Sequence, residues 1–167
     1  MLELKNIYKT FNPGTINEKV ALNGLNLTLN EGDFVTVIGG NGAGKSTMLN
    51  AVAGTWFVDE GQILIDGTDV TKLPEHKRAA YLGRVFQDPM TGTAATMGIE
   101  ENLALAYTRK ASPSFFALNK KDSAYFREVL STLGMGLEDR MKTKIGLLSG
   151  GQRQAASLLM ATIAEPE

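Results

Sequence analysis

Apolar and polar residues alternate through "GLNLTLN", with Leu25, Leu27 and Leu29 set against Asn26, Thr28 and Asn30. A period of two predicts a half-buried strand. After the turn "EGD" comes "FVTVIGG", residues 34–40, apolar almost throughout. That run predicts a strand covered on both faces, as in a parallel sheet. Beyond Lys45 the pattern changes, and "STMLNAVAG" predicts a short helix ended by Gly54. "GQILIDGTDVT" predicts a strand, a turn at Asp66-Gly67 and a second strand. "LPEHKRAAYLGRVFQD" predicts a short helix and then a strand through Val85 and Phe86.

From about Met90 onward the predicted elements are helical. "IEENLALAYTR" is one helix and "DSAYFREVLSTLG" another. In the second, Phe126, Val129, Leu130 and Leu133 follow the i, i+3, i+4, i+7 stripe, and Gly134 is the predicted stop. "RKASPSFFALNKK" between them predicts a loop; Phe115 and Phe116 in it are open to either a packing or a contact role. The sequence contains no internal repeat and no low-complexity segment.

Composition narrows the class. The 167 residues are 43% hydrophobic and 21% charged, with a net charge of −1. That is an ordinary globular balance, without the basic surplus of a nucleic-acid binder. There is no cysteine, which excludes a disulfide framework or a cysteine metal site and fits the cytosol. "MLELKNIYKTF" is not a signal peptide, and no apolar run reaches the roughly 18 residues of a membrane span.

The chemistry concentrates in two glycine-rich turns. "GGNGAGKST" fits the phosphate-loop pattern GxxxxGKS from Gly39 to Ser46, after a predicted strand and before a predicted helix. Glycines let the backbone curl so that its N–H groups converge, and the helix N-terminus adds positive potential. Lys45 can reach the β- and γ-phosphates, and the Ser46 hydroxyl can ligate Mg²⁺. Taken alone, this loop leaves small-molecule kinases, GTPases, helicases and motor-type ATPases open. "LSGGQ", Leu148 to Gln152, is the second turn. Ser149 is a natural cap, and Gly150 and Gly151 expose backbone N–H groups at a helix start.

The phosphate loop Gly39–Thr47, Gln87 in "VFQDP" and "LSGGQRQ" at 148–154 occur in that order over the whole chain. In this the sequence resembles the nucleotide-binding subunit of ATP-binding-cassette (ABC) proteins. It also resembles the importer-type subunits, through "GLNLTLNEGDFVTVIGGNGAGKST" and the "GQILIDGTDVT" hairpin. The resemblance implies an α/β fold: a P-loop NTPase core with an incomplete parallel sheet, an N-terminal antiparallel β subdomain and a helical signature subdomain. The implied division is 1–89, a β-rich core carrying the phosphate loop and Gln loop; 90–157, the helical subdomain; and 158–167, the end of the signature helix.

The resemblance also implies the site. Phe11, with Tyr8 the weaker choice, stacks on adenine. Gly39, Asn41, Gly42, Ala43, Gly44, Lys45, Ser46 and Thr47 hold the phosphates. Ser46 and Gln87 bind Mg²⁺, and Lys45 and Gln87 serve catalysis. Ser149, Gly150, Gly151 and Gln152 contact the γ-phosphate of ATP held by a second subunit, so two subunits sandwich two ATP molecules head to tail. The implied partners are that second subunit, commonly an identical copy, and integral-membrane permeases; the implied place is the cytoplasmic face of the membrane, with no nucleic acid. His76, the only histidine, precedes Gln87, whereas the family's switch histidine follows the signature, so His76 is expected to be a surface residue. Trp56 is expected to pack rather than to bind adenine.

One part of the pattern is not met. In the family an apolar strand ending in Asp-Glu follows the signature helix and supplies the carboxylates that position metal and water. Here "IAEPE" stands at that place, and Glu165 and Glu167 have no apolar strand before them. The expectation is a piece of a longer protein, in which these 167 residues alone hydrolyse ATP very slowly, if at all. Two other readings stay in play: a soluble ABC ATPase acting on ribosomes or DNA, and a nucleotide-binding fragment without turnover.

Overall fold

A computed structural model describes residues 1–108 and 120–164. Phe115, Phe116, Glu165 and Glu167 lie outside the described residues. The chain forms two compact units, Met1–Tyr81 and the described residues from Leu82 onward.

The first unit is built on an antiparallel sheet of order β2-β1-β3-β4: β1 Leu2–Phe11, β2 Lys19–Leu29, β3 Glu60–Ile65 and β4 Thr68–Asp69. The alternation in β2 has its expected consequence. Leu25, Leu27 and Leu29 are half-buried while Asn26, Thr28 and Asn30 are exposed. Leu4 of β1 faces Leu27 on one side and Ile63 of β3 on the other, and Leu4, Ile7, Leu22, Ile63, Ile65 and Val70 are buried. The β3–β4 turn has Asp66 and Gly67 both at positive φ, 45° and 73°, as a two-residue primed hairpin turn requires.

Two short helices complete this unit. Helix α1, Lys45–Ala53, ends at Gly54 in the left-handed conformation and buries Met48 and Ala51. Helix α2, Glu75–Arg78, carries the fully buried Arg78. The Arg78 guanidinium donates to the carbonyls of Ala51 (2.6 Å) and Val52 (2.9 Å) at the end of α1, and to those of Leu73 (2.8 Å) and Thr71 (2.9 Å). A cation on the orphan carbonyls at a helix C-terminus satisfies them and opposes the negative end of the helix dipole. Burial pulls the Arg78 pKa down from its ordinary value.

Two expected strands do not form. Residues 34–40 and the stretch through Val85 and Phe86 carry no strand pairing, and every strand pairing among the described residues is antiparallel. Phe34 is 95% and Ile38 89% exposed. An apolar, β-prone run becomes a strand only when a neighbour takes its N–H and C=O groups. No described segment pairs with either run.

The second unit is helical: α3 Ile99–Tyr107, α4 Lys120–Ser131 and α5 Gly150–Thr162, with a 3₁₀ turn at Ile145–Leu147. The stripe on α4 points inward, with Phe126 and Leu130 buried beside Ile99, Leu103, Leu137 and Ala156. The helix ends at Ser131, three residues short of Gly134, which takes φ 61° in the turn beyond it. Asn102, 1% exposed, ties the approach to α3. Its side-chain NH₂ donates to the carbonyls of Gly98 (2.9 Å) and Ala94 (3.2 Å), and its carbonyl accepts from the Ala94 N–H (2.8 Å).

Candidate functional site

The phosphate-loop residues are brought to one place in the first unit. Gly44 sits at φ 85°, and a Cβ there would lie 2.5 Å from the Ala21 carbonyl oxygen of β2. Only glycine fits that conformation and that clearance. Immediately after it α1 begins, with no side-chain cap on its first N–H groups. The N–H groups of Lys45, Ser46 and Thr47 therefore lie in the turn where a helix leaves its donors without intrahelical partners. Asn41, Gly42, Ala43 and Ser46 are exposed, so solvent or an anion can reach the loop. Lys45 Nζ donates to the carbonyls of Gly39 (2.6 Å) and Gly40 (2.8 Å), folding the ammonium back over the loop. Orphan donors at a helix N-terminus with an ammonium beside them can bind a polyphosphate. The exposed Ser46 hydroxyl is free to ligate a divalent cation carried by that polyphosphate.

Phe11 ends β1 in the same unit and is half-buried. Its ring meets Trp56 edge-on, with centroids 5.5 Å apart at 82°, so Trp56 packs against Phe11. Lys9 Nζ lies 5.7 Å from the Phe11 centroid. Asp59 holds this end of β1: one carboxylate oxygen accepts from Lys9 Nζ (2.7 Å) and the other from the Thr10 N–H (2.6 Å). The Lys9 hydrogen bond, then the Thr10 N–H, draws the Asp59 carboxyl below its ordinary pKa. Tyr8 is exposed, and its hydroxyl lies 2.9 Å from where a Cβ on Gly24 would stand. His76 is exposed on α2.

Gln87 and the signature turn belong to the second unit. Gln87 is exposed. Next to it the chain curls back on itself: the Asp88 carboxylate accepts from the Met90 N–H (2.9 Å), and Arg84 lies 4.5 Å over the Phe86 ring. At the signature, Ser149 caps α5. Its hydroxyl accepts from the Gln152 N–H, and the Gln152 side chain accepts from the Ser149 N–H, both at 3.3 Å. This is the reciprocal capping box. Gly150 and Gly151 take no positive φ, and a Cβ on either would meet nothing within 4 Å. The chain's own packing and backbone do not require glycine there; an external group approaching the backbone closely would.

Sequence reasoning passed over Arg153, whose guanidinium donates to the carbonyls of Gly146 and Leu148 (each 2.9 Å) and Ile145 (3.3 Å). It fastens the 3₁₀ turn to the signature helix. Arg78 and Asn102 were missed likewise, because an isolated polar residue gives no periodic signal. Among the described residues no group of three His, Cys, Asp or Glu side chains could hold a metal ion, and no helix is long and apolar enough to cross a membrane.

Comparison with known proteins places these features. Residues 22–167 match the sequence profile of the family described as ABC transporter. The tyrosine transport ATP-binding protein of Clostridioides difficile (strain R20291) is 37% identical over the whole chain, which covers 66% of that relative. The spermidine/putrescine import ATP-binding protein PotA of Haemophilus influenzae is 34% identical, again over the whole chain and 41% of the relative. The bacitracin export ATP-binding protein BceA of Halalkalibacterium halodurans is 33% identical over 99% of the chain and 63% of the relative. The chain thus spans between about two-fifths and just under two-thirds of the length of these relatives. A dimeric ATP-binding cassette solved in a post-hydrolysis state with ADP and Pi superposes with a TM-score of 0.78 at 29% identity, over 99% of this chain and 71% of that one. The phosphate loop, the capped signature turn, the α/β fold and the match over most of its length together make this chain a member of the ABC transporter family.

Proposed function

We propose that the protein is the ATP-binding, ATP-hydrolysing subunit of an ABC transporter, working as a head-to-tail dimer that drives a solute through separate permease subunits. The observation that carries this reading is the phosphate loop, where Gly44 admits the backbone and α1 opens with uncapped donors beside Lys45. ATP lies with its phosphates on Gly39, Asn41, Gly42, Ala43, Gly44, Lys45, Ser46 and Thr47. Its adenine lies against Phe11. Ser46 would hold the Mg²⁺ that the nucleotide carries, and the role that the family resemblance implies for Gln87 is to orient the attacking water. Ser149, Gly150, Gly151 and Gln152 meet the γ-phosphate on the partner subunit. The open space beside the two glycines supports that close approach.

The protein is peripheral on the cytoplasmic face of the membrane, and its membrane passage is supplied by the permeases. Import is the direction favoured by the resemblance of the β2-to-phosphate-loop segment to importer-type subunits. One relative is named for export, so the solute and its direction belong to the permease partners.

The test is nucleotide titration of the whole protein and its Lys45→Ala variant with MgATP. Binding to the wild type, weakened at least tenfold in the variant, is the expected outcome. Equal binding by both would remove the phosphate loop from the site. Pull-down from detergent extracts then tests the transport half, and recovery of an integral-membrane partner is the expected result.

A further inference from the structure

The phosphate loop has a second cation beside it that its motif does not contain. Lys19 opens β2, and in the β1–β2 register it stands directly opposite Phe11. A Cβ placed on Gly42, in the middle of the phosphate loop, would lie 3.4 Å from Lys19 Nζ, and apart from the adjoining residues nothing else would come within 4 Å of it. Gly42 is exposed and so is Lys19. The ammonium of Lys45 is engaged by the carbonyls of Gly39 and Gly40, whereas that of Lys19 has no hydrogen-bond or ion-pair partner among the described residues. An exposed ammonium beside a loop that runs into an uncapped helix N-terminus strengthens the binding of an anion there.

We infer that Lys19 is a nucleotide-binding residue, a second ammonium that contacts the α- and β-phosphates over the middle of the phosphate loop. This rests on the nucleotide site proposed above. The assignment to the α- and β-phosphates follows from position. The backbone of a phosphate loop cradles those two groups, and the loop's own lysine reaches toward the β- and γ-phosphates. Lys19 stands over the middle of the loop, with the proposed adenine-stacking residue as its cross-strand partner. It therefore serves the part of the ligand that ATP and ADP share.

The experiment is titration of the whole protein with ribose-labelled fluorescent ATP and ADP, each with Mg²⁺, at low and high salt. Wild type, Lys19→Ala, Lys19→Arg and Lys45→Ala are compared, with far-UV circular dichroism as the folding control. Lys19→Ala is expected to weaken ATP and ADP binding alike, by about tenfold, as loss of one charge-assisted contact implies. Its affinity should also depend less on salt. Lys19→Arg should recover most of the affinity. Unchanged binding in Lys19→Ala, or a loss confined to ATP, overturns the inference while a Lys45→Ala defect leaves the site itself standing. Absence of binding by the wild type, or full binding by Lys45→Ala, overturns the site and this inference together.

Discussion

At the scale of the residue, the first unit depends on one buried cation. Arg78 satisfies four carbonyls, two of them at the end of the phosphate-loop helix, and a Cβ on Gly54 would lie 2.8 Å from its Nε. Removing the guanidinium strips the part-buried Val52, Thr71 and Leu73 oxygens of this donor and leaves the Ala51 oxygen only the Gly54 N–H at 3.3 Å. Arg78→Met should cost about 3 kcal/mol or more, read as a lower denaturant midpoint. A variant as stable as the wild type would show that water takes over the capping. Asp69 gives a pH-dependent counterpart. The Thr71 hydroxyl (2.6 Å) first, then the Gln62 amide (2.8 Å) and the Thr71 N–H (2.9 Å), draw its carboxyl down from 3.8 to about 2. Because the folded state favours the ionised form, the stabilisation is present above pH 3.8 and is lost as the pH falls through about 2. Acid unfolding of Asp69→Asn should lack that component, while its stability near neutral pH should be slightly below that of the wild type. None of Arg78, Asp69 or Lys19 stands out in the sequence, since each acts through a neighbour distant along the chain or across a turn.

At the scale of the element, local pattern was a good guide wherever the element is closed by its own neighbours. The Leu25–Leu29 alternation, the Asp66-Gly67 turn, the Gly54 stop and the α4 stripe all take the expected form. The capping box that opens α5 is equally local. Ser149→Ala should cost about 1 kcal/mol of stability, seen as a lower midpoint with the helix content retained. The pattern misled at residues 34–40 and at Val85–Phe86. An apolar run states that it prefers burial, but a strand also needs a partner ladder, and no described segment supplies one. The Gly134 stop was three residues late, because the helix yields to turn geometry before the glycine.

At the scale of the whole molecule, the proposed head-to-tail dimer assigns the two glycine-rich turns different partners. Under that proposal the phosphate loop takes the subunit's own ATP and the signature turn takes that of its neighbour. Ser149→Arg should therefore spare nucleotide binding and abolish the ATP-dependent dimer in size-exclusion chromatography with light scattering. Normal ATP-dependent dimerisation of that variant would refute the head-to-tail arrangement. Lys45→Ala should fail both measurements, which separates loss of nucleotide from loss of the interface.

The sequence by itself determined the family, the two turns and the helices and hairpins whose hydrogen bonds close within a few residues. Motif spacing and periodicity are local properties, and they survive in one dimension. Only the tertiary structure revealed that Gly44 must clear the Ala21 carbonyl, that Arg78 caps the phosphate-loop helix, and that Lys19 stands over Gly42 opposite Phe11. It likewise left residues 34–40 exposed and without a strand partner. Each of these depends on which distant segment lies alongside, and burial, clearance and hydrogen-bond partners exist only once the chain has brought such segments together.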